Sequence, residues 1–279
     1  MLQWKNLSDL SLIVSQAARG ELVFPTSVNA ALRLQLALSD PDCHSEDVIR
    51  KVLGEPLLAA RTVALSNAAV FKRSGETVTS VRGAVMRVGY RNLYTMAAAM
   101  VVRQFGSRIH DAALRHKAER LWQHTAHVAA LAHVVARKIT GVDADTALFA
   151  GIVHEAGGFY LLSRADDMPG LLEHPEEWLG AAQEIISREM MRKMAIPEAV
   201  AQAIVTLPGA VLTPPPSGLR DTLLIAKRLA PVPSPMYVPA GEARRDAALE
   251  RFVNDNEVLD RVLLESADEA RSMSAALLA

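Results

Sequence analysis

The stretch Leu121–Leu162, LWQHTAHVAALAHVVARKITGVDADTALFAGIVHEAGGFYLL, decides how the chain is read. Leu121, Val128, Ala132, Val135 and Ile139 recur at helical spacing without a proline, which predicts a helix over 121–139. His124 and His127, three apart, share one side of it. A second helix is expected from the Asp143–Asp145 region, where Asp caps the positive end of the helix dipole. It runs through Leu148, Phe149, Ile152 and Val153 to His154 and Glu155, and Gly157-Gly158 should weaken it. Such a hairpin brings His124 and the His154-Glu155 pair into one crevice.

The rest of the chain narrows the class. Of its 279 residues, 50% are hydrophobic, enough for a substantial core in one large or two smaller domains. Thirty basic and 31 acidic side chains leave a net charge of −1, so no nucleic-acid or membrane footprint is expected. Cys43 is the single cysteine, which excludes an intrachain disulfide and a thiolate metal cluster. No apolar run reaches membrane-spanning length, and MLQWKNLSDLSLIVSQ is too interrupted for a signal peptide, so a cytoplasmic protein is expected. There is no G-x-S-x-G elbow, P-loop, dinucleotide fingerprint or H-E-x-x-H.

Short helices are expected along the first half: residues 1–20 ending at Gly20, with Leu10, Leu12, Ile13 and Ala17 packing inward; then Val28–Leu38, Asp47–Val52, Leu57–Ala69, Val81–Val88 and Arg91–Phe105. In the second half, Glu177–Met194, a helix from Pro197 to Leu207, and Leu219–Leu229 follow. A proline-rich crossing, Pro231–Pro239, leads to a charged tail with an apolar stripe through Leu249, Phe252, Val258 and Leu263. The tail is expected to fold back on the body; a contact with another subunit is the alternative.

Trp122-Gln123-His124 and Ala150-Gly151-Ile152-Val153-His154-Glu155-Ala156-Gly157-Gly158 resemble motifs of the HD superfamily of metal-dependent phosphohydrolases. In that superfamily a His, a later His-Asp pair and a distant Asp hold a metal. The resemblance is closer to the regulatory branch, the HDOD proteins, with their tryptophan-x-histidine helix and a small-residue helix reading A-G-L-L-H-D-I-G-K. The first half supplies further landmarks in order: Phe24-Pro25, Leu38-Ser39-Asp40-Pro41, Glu55-Pro56-Leu57 with Ala60-Arg61, Leu65-Ser66-Asn67-Ala68-Ala69 with Phe71, and Val78-Thr79-Ser80 with Ala84 and Val88-Gly89. The resemblance spans about 22–230. It implies an all-α, HDOD-type helical bundle: a helix at 1–21, an N-terminal helical lobe at 22–108, an HD-like lobe at 109–230, and a linker and tail at 231–279.

Departures from the pattern carry the functional expectation. The resemblance aligns Glu155 with the aspartate of the pair, Gln183 with a later histidine, and Lys227 with the closing aspartate. His124, His154 and Glu155 are what remain to hold a metal. An ammonium about 4 Å from a dication costs roughly 8 kcal/mol at an effective dielectric near 20. A Lys227–Glu155 ion pair is expected to fill the vacated cavity instead. The resemblance then implies a non-catalytic regulatory module with no cofactor, acting on an unidentified signalling protein or small ligand. The tail offers a possible route to a homo-oligomer. Two other readings are a metal-dependent phosphohydrolase or phosphodiesterase that keeps His124, His154 and Glu155 around a divalent ion, and a nucleotide sensor without turnover. Asn67, Arg61 and Arg91 are the candidate ligand or interaction residues outside this cluster, with Asn67 more readily read as a cap or structural hydrogen bond. His127 and His133 are expected to be structural, and His44, His110, His116 and His174 solvent-facing.

Overall fold

The computed structural model describes residues 2–67, 77–169, 171–172, 181–236 and 246–278, and among them every regular element is helical. The chain divides into two compact units, Val23–Phe105 and the combination of Met1–Leu22 with Gly106–Ala279. Helix α1 (Leu2–Ala18) belongs to the second of these. Its Leu10, Ile13 and Ala17 are buried as the spacing predicts, whereas Leu12 is exposed, one position off the apolar stripe.

The Val23–Phe105 unit consists of a 3-10 turn, Thr26–Val28, followed by α2 (Asn29–Leu38), α3 (Ser45–Leu53), α4 (Pro56–Ser66), α5 (Val81–Val88) and α6 (Tyr90–Phe105). Pro56 breaks the chain after α3 and also opens α4, because its missing N–H is an unpaired donor at that position anyway. Ser80 caps α5 by accepting from Gly83 N. The core is aliphatic (Leu34, Val48, Val52, Leu58, Leu93, Val101), with Phe24 and Phe105 edge-to-face at 5.1 Å. Ala68, Ala69 and Phe71, read as the end of α4 and its sequel, lie outside the described residues.

The other unit is built on α7 (Ala112–Val135), which continues through a π-helical turn, Ala136–Thr140. Next come α8 (Ala144–Val153), α9 (Ala156–Ala165), α10 (Ala181–Lys193), α11 (Glu198–Val205), α12 (Gly218–Leu229), α13 (Ala247–Asn254), α14 (Glu257–Glu265) and α15 (Ala267–Leu278). Two expectations are corrected here. The first histidine helix starts at Ala112, well before Leu121. Asp111 caps it by accepting from Leu114 N, and its first turns are polar, so apolar periodicity does not register them. The second histidine helix stops at Val153, so Glu155 sits in the break before α9, and Gly157-Gly158 lie inside a helix. The stretch 177–180, read as the start of α10, is outside the described residues, as is His174.

The charged tail folds back. Leu249, Val253 and Leu259 join Val135, Leu212 and Ile225 in one buried cluster. Asp246 accepts from Leu212 N, Arg228 forms a two-pronged pair with Glu250, and Trp122 Nε1 donates to Leu277 O at 3.2 Å. The helix carrying His124 is thereby held along its length by the end of the chain.

Candidate functional site

Small residues bring the two histidine helices together. A Cβ on Gly151 would lie 2.5 Å from Ala129 Cα and 2.9 Å from Ala129 N, so α8 touches α7 backbone to backbone. Gly141, at φ 69°, is the left-handed residue that turns the chain from the π-helical turn toward α8, where Asp143 caps by accepting from Thr146 N. With the helices this close, the rings of His124 and His154 meet with centroids 5.5 Å apart, tilted by 54°.

Both rings are oriented by carbonyl groups. His124 Nδ1 lies 2.7 Å from Val232 O, and His154 Nδ1 lies 2.7 Å from Gly151 O. A carbonyl only accepts, so each Nδ1 carries the proton and each neutral ring turns an Nε2 lone pair the other way. Burial, then the Lys227 charge, holds the His154 pKa down at about 3, with Glu155 opposing. His124 is lowered mainly by burial. Both Nε2 atoms are buried with no hydrogen-bond partner among the described residues, although His154 Nε2 lies 3.6 Å from Glu155 Oε1.

Glu155 is the carboxylate of this cluster. Lys227, in the last turn of α12, donates from Nζ to Glu155 Oε1 at 3.0 Å. Burial, the largest single influence, raises the Glu155 pKa; the Lys227 charge, the two imidazoles and the Lys227 hydrogen bond together outweigh it, and the carboxyl ends at about 2. The Glu155 side chain is 9% exposed and that of Lys227 31%, so the pair is shielded on the carboxylate side and open to water along the lysine. Gly158 leaves room for the carboxylate: a Cβ there would come within 3.4 Å of Glu155 Oε2 and 3.1 Å of Met236 Cγ.

Val232 and Met236 belong to the segment after α12 that lies against this cluster, and sequence reasoning did not single out either one. The usable signal is Pro231-Val232-Pro233. A residue before proline is held extended, and Pro233 has no N–H, so no helix or sheet ladder forms there to claim the Val232 carbonyl.

One ligand atom from each of His124, His154 and Glu155 lies within 4.8 Å of the others, a donor set of the right chemistry for a divalent metal. As they stand, however, the residues do not fit one. The Lys227 ammonium already sits 3.0 Å from Oε1 of the one carboxylate in the cluster, the group an ion would bind at roughly 2.0–2.2 Å. Gln183 lies half-buried on α10.

The remaining candidates have other surroundings. His127 is half-buried on α7, and its pKa is lowered by burial. His133 lies 3.6 Å from Glu269. His44 and His116 are exposed, and exposed His110 pairs with Asp166, which also accepts from the backbone N–H of His110 and Asp111. Asn67, Arg61 and Arg91 belong to the Val23–Phe105 unit. The Asn67 amide donates to Val63 O and Val78 O and accepts from Val78 N. Arg61 is half-buried, its pKa lowered by burial and then by Arg103, and Arg91 is exposed.

The HDOD domain family model matches residues 24–205, and the chain belongs to that family. Its fold is similar to a candidate metal-dependent phosphohydrolase from Shewanella amazonensis SB2B (TM-score 0.60, 19% identity, 98% of this chain and 99% of that one). It is similar also to an HDOD domain protein of unknown function from Geobacter sulfurreducens (TM-score 0.59, 17% identity, 97% and 98%). A candidate signal transduction protein from Marinobacter aquaeolei VT8 aligns at TM-score 0.53 and 19% identity, over 92% of this chain and 59% of that one. No curated protein matches the sequence. No helix among the described residues is long and apolar enough to cross a membrane.

Proposed function

We propose that this chain is a non-catalytic regulatory module of HDOD type that works by binding a protein or small ligand. The observation that carries the reading is the Lys227–Glu155 ion pair, which commits the cluster's one carboxylate to an ammonium. Hydrolysis of a phosphoester at an HD-type centre needs an ion to polarise the phosphoryl oxygen or activate water, and that ion needs the carboxylate. The test is an assay of the purified protein against mono- and diester phosphate substrates with added Mn²⁺, Zn²⁺ or Fe²⁺. No turnover above that of the His154→Ala variant is expected; turnover that His154→Ala abolishes would overturn the reading.

The alternative, a metal-dependent phosphohydrolase, draws on the clustering of His124, His154 and Glu155. It requires Lys227 to leave Glu155. Stoichiometric metal in the protein as isolated, lost on His154→Ala, would favour it.

A further inference from the structure

The chemistry around Lys227 is that of a cation site. Three donors of metal-binding type converge within 4.8 Å of one another, a ring nitrogen of His124, a ring nitrogen of His154 and a carboxylate oxygen of Glu155, and Nε2 of each ring is buried without a hydrogen-bond partner among the described residues. Both rings are locked with these lone pairs available, because their other nitrogens donate to Val232 O and Gly151 O. A buried carboxylate is penalised when unpaired, and here an ammonium answers it, while both Nε2 lone pairs stay without a hydrogen-bond partner among the described residues. The only positive charge recorded on Glu155 among the described residues, apart from the histidines, is the ammonium of Lys227 at 3.0 Å.

We propose that Lys227 is the tethered cation of this pocket. Its ammonium occupies the Glu155 carboxylate that a divalent ion held with His124 and His154 would share, and removing its charge turns the pocket into a binding site for a borderline dication such as Zn²⁺ or Co²⁺. An ordinary surface ion pair would predict otherwise, for losing Lys227 would then cost stability and create nothing. In a tethered-cation pocket, the loss leaves an anionic three-donor site with oriented lone pairs, and a free ion restores what the lysine supplied. The inference concerns the occupant of the pocket and stands whether or not the regulatory reading holds.

The experiment compares wild type with Lys227→Met, Lys227→Arg and the double variant Lys227→Met/His154→Ala. Each is stripped with chelator and titrated with Co²⁺ and Zn²⁺ alone. The readouts are metal per chain after gel filtration, the visible Co²⁺ spectrum and the shift in melting temperature. Lys227→Met is expected to bind one ion at least ~100-fold more tightly than wild type, a conservative share of the charge repulsion relieved. Its melting temperature should rise with metal while that of wild type stays put. Lys227→Arg, which keeps the charge, should behave as wild type, and the double variant should lose the site. Equal binding by wild type and Lys227→Met overturns the proposal, as does a folded Lys227→Met that binds no better. Should Lys227→Met be recovered folded only with metal present, the proposal is supported; insolubility with and without metal counts against it. Phosphoesterase activity of the wild type, by contrast, would overturn the regulatory reading and leave this one to the binding data.

Discussion

Gly151 rests directly on the backbone of Ala129: any side-chain carbon at that position would come to 2.5 Å of Ala129 Cα. The contact sets the separation of α7 and α8 and with it the distance between the two imidazoles. Gly151→Ala cannot be absorbed by a flexible side chain, because the obstacle is main chain. It should cost about 3 kcal/mol, the upper end for overpacking, read as a lower urea midpoint at unchanged slope. A neutral or stabilised Gly151→Ala would show that α8 moves freely on α7.

Glu155 and Lys227 should couple strongly. Lys227→Met strands a buried carboxylate and is expected to destabilise the metal-free protein by about 2–4 kcal/mol, toward the lower side for buried pairs because the lysine is partly exposed. Glu155→Gln/Lys227→Met should recover much of that loss. Strict additivity of the two single variants in chemical denaturation would refute the coupling.

The histidine cluster makes stability sensitive to acid. His154 has its folded-state pKa at about 3, below its ordinary 6.5, so the unfolded chain takes up the proton first as pH falls. Stability should therefore decline from about pH 6.5 downward. Glu155, at about 2 against an ordinary 4.5, adds a second loss below about 4.5 that continues to its folded-state pKa. Each group removes up to about 1.4 kcal/mol per pH unit inside its window. Urea midpoints measured from pH 8 to pH 4 should fall in this order, and His154→Asn should flatten the slope between 6.5 and 4.5. A midpoint constant from pH 7 to pH 5 would contradict the assignment.

The tail is held by its core contacts more than by its charges. Leu259 is fully buried against the cluster that includes Val135 and Ile225. Leu259→Ala should cost about 2–4 kcal/mol through the cavity it opens, and the stretch after Ala247 should become more sensitive to limited proteolysis. Unchanged cleavage and midpoint would place the holding energy elsewhere.

In the Val23–Phe105 unit, Asn67 joins α4 to the strand-like approach to α5 through Val63 and Val78. Asn67→Ala leaves those backbone groups unpaired and should destabilise by roughly 1–3 kcal/mol. A Tm shift below a degree would release Asn67 from that structural task.

Much of the fold was legible because helices write themselves locally. Leu121, Val128, Ala132 and Val135 all fall on the buried side of α7, and Asp143 caps where an aspartate before an apolar run should. What failed was local too. The polar opening turns of α7 gave no apolar period, and the small-residue run through Gly157-Gly158 reads as a helix breaker although the helix continues there. Packing compensates for the weak propensity, since Phe159, Tyr160 and Leu161 are buried beside it.

Of the candidate pocket, the residue types were readable and the arrangement was not. The sequence determined by itself the residue types, two histidines, a glutamate and a lysine, because side-chain chemistry travels with the letter. Only the tertiary structure decided that Val232 O and Gly151 O fix the tautomers, that Met236 backs Gly158, and that Trp122 reaches Leu277 O. Those contacts join positions made neighbours by packing over long chain separations, or use carbonyl groups that every residue owns alike. No spacing rule along the chain encodes such partners.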